Sequence, residues 1–98
     1  MEIVVLSGAE ADLDEIYHQI GESAGERLLL TLDQNLELSR TFPRLAPQRL
    51  QAKVRRVKIG RTPFGLFYTI EGRRLMVVAV QDLRMDPSAL ARIIRGRL

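Results

Sequence analysis

The hydrophobic pattern of the second half is regular. Val54–Ile59, Phe64–Ile70 and Leu75–Val80 are three apolar runs. Gly60–Pro63 separates the first from the second, and Glu71-Gly72 the second from the third. Short runs rich in Val, Ile, Phe and Tyr, joined by links with Gly or Pro, predict consecutive antiparallel strands. Strand alternation sorts the faces. Phe64, Leu66, Tyr68 and Ile70 share one face of the middle run, and Gly65, Phe67 and Thr69 the other. In the third run Leu75, Val77 and Ala79 oppose Met76, Val78 and Val80. Both of its faces are apolar, so both need a cover. In the first run Arg56 and Lys58 share a face with Val54, which makes one surface of that strand largely basic.

The first half has helical spacing instead. Glu2–Leu6 predicts a short strand, and Ser7–Glu10 has the form of a capping box. Ala9, Leu13, Ile16 and Ile20 follow on one helical face, with Asp12, Asp14, Glu15 and His18 off it. Gly21 is the expected stop. Ser23–Glu26 reads as a second capping box, opening a longer helix with its stripe at Leu28 or Leu29, Leu32, Leu36 and Ser39. Phe42-Pro43 ends that helix, and Arg44–Gln51 reads as a surface loop. Asp86-Pro87 opens a last helix, Asp as cap and Pro in the first turn. Its apolar side is Leu90, Ile93, Ile94 and Leu98, and its basic side Arg92, Arg95 and Arg97. The predicted order is β-α-α-β-β-β-α, an α+β fold in a single domain over residues 1–98.

Composition narrows the function. The chain has 98 residues, 46% of them hydrophobic, enough for one folded core. It has no Cys, which excludes disulfides and thiolate chemistry and fits a cytoplasmic setting. No apolar run approaches membrane-spanning length, and the N-terminus has no leader pattern. The net charge of +3 hides an asymmetry. Residues 1–49 sum to −5 and residues 50–98 to +8, a distribution that suits a polyanionic partner.

No phosphate-binding, dinucleotide-binding or zinc-protease motif is present. His18 is the sole histidine and lies on an acidic helix, so no metal site and no cofactor are expected. Arg56 and Lys58 on one strand face, Arg61 in the following turn and Arg84 after the third strand form the candidate anion-binding group. Tyr68, in the apolar series, is read as core.

Several segments, in this order, resemble the RelE/ParE family of toxins from bacterial type II toxin–antitoxin modules. They are Ala11-Asp12-Leu13 with Ile16-Tyr17, Arg55–Ile59 leading into Gly60-Arg61, Pro63–Tyr68, Leu75–Val80, and Arg84–Pro87. The resemblance implies a small antiparallel sheet with an N-terminal helical hairpin. It also implies a toxin that inhibits growth, of the kind tied to plasmid stabilisation, and a cognate antitoxin that neutralises it. ParE-like members inhibit DNA gyrase, whereas RelE-like members cleave mRNA on the ribosome. The Arg84–Pro87 end is closer to the ParE-like pattern. Target binding is then expected at Arg56, Lys58, Arg61 and Arg84. As a nuclease the chain would use Arg56, Lys58 and Arg84, but it has Gly65 where cleaving members have Arg, and no Tyr after Tyr68. A non-toxic interaction module of the same fold is the third reading. The antitoxin is expected on the apolar series Met76, Val78 and Val80.

Overall fold

The computed structural model of the chain describes residues 1–50 and 52–98. Its elements are β1 (Glu2–Val5), α1 (Ser7–Ile20), α2 (Glu22–Thr41), β2 (Gln48–Arg49), β3 (Val54–Lys58), β4 (Phe64–Glu71), β5 (Arg74–Asp82) and α3 (Pro87–Arg97). The strands form one sheet in the order β1-β5-β4-β3-β2. The α1–α2 hairpin carries the chain from one sheet edge to the other, and the meander β3-β4-β5 walks back. Thus β5 lies parallel to β1, while every other pairing is antiparallel. No helix among the described residues is long and apolar enough to cross a membrane.

The α+β class and the succession of helices and long strands are as the hydrophobic pattern predicts. The stretch expected as a loop from Arg44 differs, because Gln48–Arg49 pairs with Arg55 and Val54 as a short edge strand. The end of that expected loop, Gln51, lies outside the described residues.

Both capping boxes are corrected by the backbone. The amide of Leu6 donates to Val77 O at 3.0 Å, carrying the β1–β5 ladder up to the helix. Leu6 is therefore the cap residue and Ser7 is already helical, so its hydroxyl caps nothing. In the second case one residue, Gly21 at φ +89°, both ends α1 and starts α2. Glycine meets that positive φ without a Cβ clash. Ser23 again falls inside the helix, and its hydroxyl accepts from Arg27 instead, at 2.9 Å. The cap at Asp86 forms as expected: its carboxylate accepts from the Ala89 amide at 3.0 Å, with Pro87 in the first turn.

The strict alternation expected along the third run also fails, at one place. Tyr68 lies opposite Val77 but Phe67 lies opposite Ala79, so Val78 is an extra residue. At such a β-bulge two residues of one strand face one of its partner. Val78 and Ala79 therefore point to the same side, and Val80 crosses to the other. The sheet has a core on each face. Ala9, Ile16, Leu28, Leu32 and Leu36 of the hairpin pack on Leu66, Tyr68, Leu75, Val77 and Val80. On the far face Leu90 and Ile94 of α3 pack on Val54, Phe67, Val78 and Ala79. The two-faced apolarity of β5 is thus satisfied within the chain.

Candidate functional site

The basic residues sort by the face from which they leave β3. Arg55 and Val57 lie opposite Tyr68 and Leu66, toward the hairpin. Arg55 is consumed there, donating to Arg44 O at 3.0 Å and to Ala46 O at 2.5 Å. Arg56 and Lys58 lie opposite Phe67 and Gly65, on the α3 face. Arg49 pairs with Val54 and so joins Arg56 on that face. Among the described residues none of these three makes an ion pair. Burial lowers the pKa of the half-buried Arg56 guanidinium, and the neighbouring charge of Arg49 lowers it further. Two unneutralised cations side by side, one partly desolvated, favour an incoming anion. Lys58 is exposed.

Arg61 is exposed in the β3–β4 turn, which Thr62 braces by donating to Ile59 O at 2.6 Å. Arg84 reaches the same end of the sheet, because the adjacent Leu83 amide donates to Pro63 O at 2.9 Å. Its charge is already answered. The Arg84 guanidinium forks onto Asp82, with Nε at 3.0 Å and Nη2 at 2.8 Å, and its backbone amide adds a bond of 2.9 Å. These bonds hold the Asp82 carboxyl below the usual carboxylate range. The four predicted cations therefore form a free set of Arg56, Lys58 and Arg61, joined by Arg49, with Arg84 tied to its own carboxylate.

The other expected site residues fall elsewhere. Tyr68 is fully buried, as read from its series, and donates to Pro43 O at 2.7 Å. Burial pushes its hydroxyl pKa up. His18 is exposed on α1. Among the described residues no group of His, Cys, Asp or Glu could hold a metal ion. Met76, Val78 and Val80 do not form one open patch. Val80 lies under the hairpin, Val78 under α3, and Met76 is half-buried. Over Gly65 stands Leu83, whose Cδ2 would lie 2.5 Å from a Cβ added there.

One polar cluster stands outside the expected set. Asp12 is buried and accepts from Arg97 at both oxygens, at 2.6 and 2.8 Å. It also accepts from the Val80 amide at 2.9 Å, while Arg97 donates to Val78 O at 3.2 Å. The pair thus serves the backbone groups flanking the bulge and ties α3 to α1. A sequence signal existed, because Ala9, Asp12 and Ile16 are spaced three and four apart, which is itself a helical face. An acid on such a stripe demands a buried cation.

The geometry defines a class: a small α+β domain whose sheet is covered by a helical hairpin and a C-terminal helix, with uncompensated cations at the β2–β3 edge. A sequence profile of the ParE toxin of type II toxin–antitoxin systems, from the parDE module, matches residues 3–87. The chain belongs to that family. The match ends where α3 begins. No curated protein matches. Among solved structures, a chain of "Chromosomal ParDE TA system from P. aeruginosa" superposes with a TM-score of 0.59. That alignment has 21% identity and covers 84% of this chain and 95% of that one. At such identity the likeness is one of fold.

Proposed function

We propose that the chain is a toxin that stops growth by binding a macromolecular target, with DNA gyrase the expected one, and that a cognate antitoxin neutralises it. The observation that carries this reading is the cation set itself. Among the described residues Arg49, Arg56, Lys58 and Arg61 offer positive charge outside every ion pair. Such a set binds anionic or acidic surfaces but has nothing to deprotonate a hydroxyl. Leu83 over Gly65 agrees with it, since that space holds an apolar side chain rather than a further cation. Family membership supplies the toxin–antitoxin setting.

The test is supercoiling by purified gyrase with added protein, paired with growth arrest on induction. The wild-type chain inhibits both. Arg56→Ala with Lys58→Ala weakens both by tenfold or more while the circular dichroism spectrum is unchanged. Full gyrase activity at saturating protein would refute the target, and undiminished arrest by the double variant would refute the surface.

A further inference from the structure

The arginines of α3 leave the helix in two directions. Arg97 turns toward α1 and is spent on Asp12 and Val78 O. Arg95 turns toward the β2–β3 turn, where its Nη2 donates to Leu50 O at 3.2 Å. Arg92 precedes Arg95 by three residues, so the two lie one turn apart on the same side of the helix. Both are exposed, and with Pro87, Ser88 and Ala91 they line a groove of about 470 Å³.

Leu50 follows Arg49 in the chain. Arg95 therefore brings the α3 row up to a second row on the same face of the sheet, Arg49, Arg56 and Lys58. Arg56 and Lys58 stand about 7 Å apart, two residues along one strand. The turn between the rows is strained, because Leu50 has φ +60°, a conformation that a bulky side chain rarely adopts. The Arg95 bond holds it there, as does the Ala52 amide, which donates to Arg49 O at 3.1 Å. Arg49 thereby stays close enough to Arg56 for the two charges to repel.

Among the described residues none of these five cations is in an ion pair. Three acidic residues follow residue 49. Asp82 is held by Arg84, Asp86 caps α3, and Glu71 lies opposite Arg74 at the β4–β5 turn. The surface has charge without anchors. Of the exposed large hydrophobic residues only Leu98 adjoins α3, and none belongs to β2 or β3. Phe67, an aromatic side chain on this face, is buried under the helix. Protein interfaces are built around apolar and aromatic anchors, and single-stranded nucleic acid needs exposed rings to stack on. Two rows of cations with neither feature suit the sugar–phosphate backbone of a duplex.

We propose that the face formed by β2, β3 and α3 binds the phosphate backbone of a nucleic-acid duplex through Arg49, Arg56, Lys58, Arg92 and Arg95. The proposal deepens the functional reading and rests on it for one point: a toxin that acts on gyrase meets this duplex as the DNA that the enzyme holds. The contacts are to phosphates, so binding is independent of base sequence.

The experiment is fluorescence anisotropy of a short labelled DNA duplex, titrated with the purified full chain at a series of salt concentrations. Five phosphate contacts predict an affinity that falls with salt along a log–log slope of about −4.5. Arg49→Ala, Lys58→Ala and Arg92→Ala should each make that slope shallower by about one, on duplexes of any sequence. All three side chains are exposed, so the variants keep the wild-type melting temperature. Arg40→Ala, on α2, should leave the slope unchanged. Duplex RNA, single-stranded DNA and polyglutamate are the comparison arms, and binding of the DNA duplex at least as tight as each supports the proposal. No binding at low salt, a slope unmoved by all three variants, or tighter binding of any comparison arm would overturn it. None of these arms contains gyrase. Loss of DNA binding with gyrase inhibition intact would strike this surface and leave the target reading, and DNA binding with gyrase unaffected would do the reverse.

Discussion

Asp12 ties two elements together through one side chain. It holds α3 through Arg97 and the bulged strand through the Val80 amide. Removing one partner of a buried, hydrogen-bonded pair leaves the other desolvated and unanswered, which costs about 3 kcal/mol. Asp12→Ala should therefore lower the unfolding free energy by that amount in urea titration, and Arg97→Met, which leaves the more buried Asp12 carboxylate unpaired, by at least as much. The Asp82–Arg84 pair is the exposed counterpart and should behave otherwise. The depressed Asp82 pKa means that its stabilising contribution is present above the ordinary carboxylate range, near pH 4, and is lost as pH falls through the lower folded value. Arg84→Ala should bring the Asp82 carboxyl resonance back toward an ordinary titration while the melting temperature at neutral pH barely moves. Asp12 was hidden in the sequence by its neighbours, because Asp14 and Glu15 are exposed and the run reads as one wet face. Only the tertiary approach of Arg97, 85 residues away, separates it from them.

At the scale of elements, periodicity predicted what packing then used. The α2 stripe is buried at the expected positions, and the hairpin covers the Leu66–Tyr68 face. The failures are local events that periodicity does not encode. A one-residue bulge at Val78 exchanges the facing of Ala79 and Val80, and one glycine at positive φ leaves no room for the second capping box. The bulge bears on the expected antitoxin contact, since Met76, Val78 and Val80 share a face only if alternation is unbroken. Helix α3 is the element that answers the far face. Ile94 is fully buried against that core, whereas Leu98 is 57% exposed. Ile94→Ala should cost about 3 kcal/mol by cavity formation. For a domain of this size that lowers the melting temperature by roughly 12–24 °C. Leu98→Ala should leave it unchanged within a degree or two. Equal effects in thermal melts would mean that α3 does not dock as described.

For the whole molecule, the charge asymmetry visible in composition becomes a place. The acidic half supplies the hairpin, and the basic half the sheet edge and α3. A cationic surface alone does not make a nuclease, and we predict that the chain does not cleave mRNA. Cleavage of a phosphodiester requires a group to take the proton of the 2′-hydroxyl and a donor for the leaving oxygen, beside positive charge at the developing phosphorane. Arg49, Arg56 and Lys58 meet the last requirement. His18 is on α1, across the hairpin rather than on the cationic face, and the Tyr68 hydroxyl is buried and engaged with Pro43. Burial lowers the Arg56 pKa, but a guanidinium stays charged at neutral pH and is a poor base. Each missing acid–base group removes about 10²–10⁴ in rate, so with both absent cleavage should fall below detection. Primer extension on a translated message, with ribosomes and purified protein, reads this directly. The expected result is full-length product with no added stops. Discrete stops at A-site codons that vanish in Lys58→Ala would reverse the assignment and make Lys58 the general base.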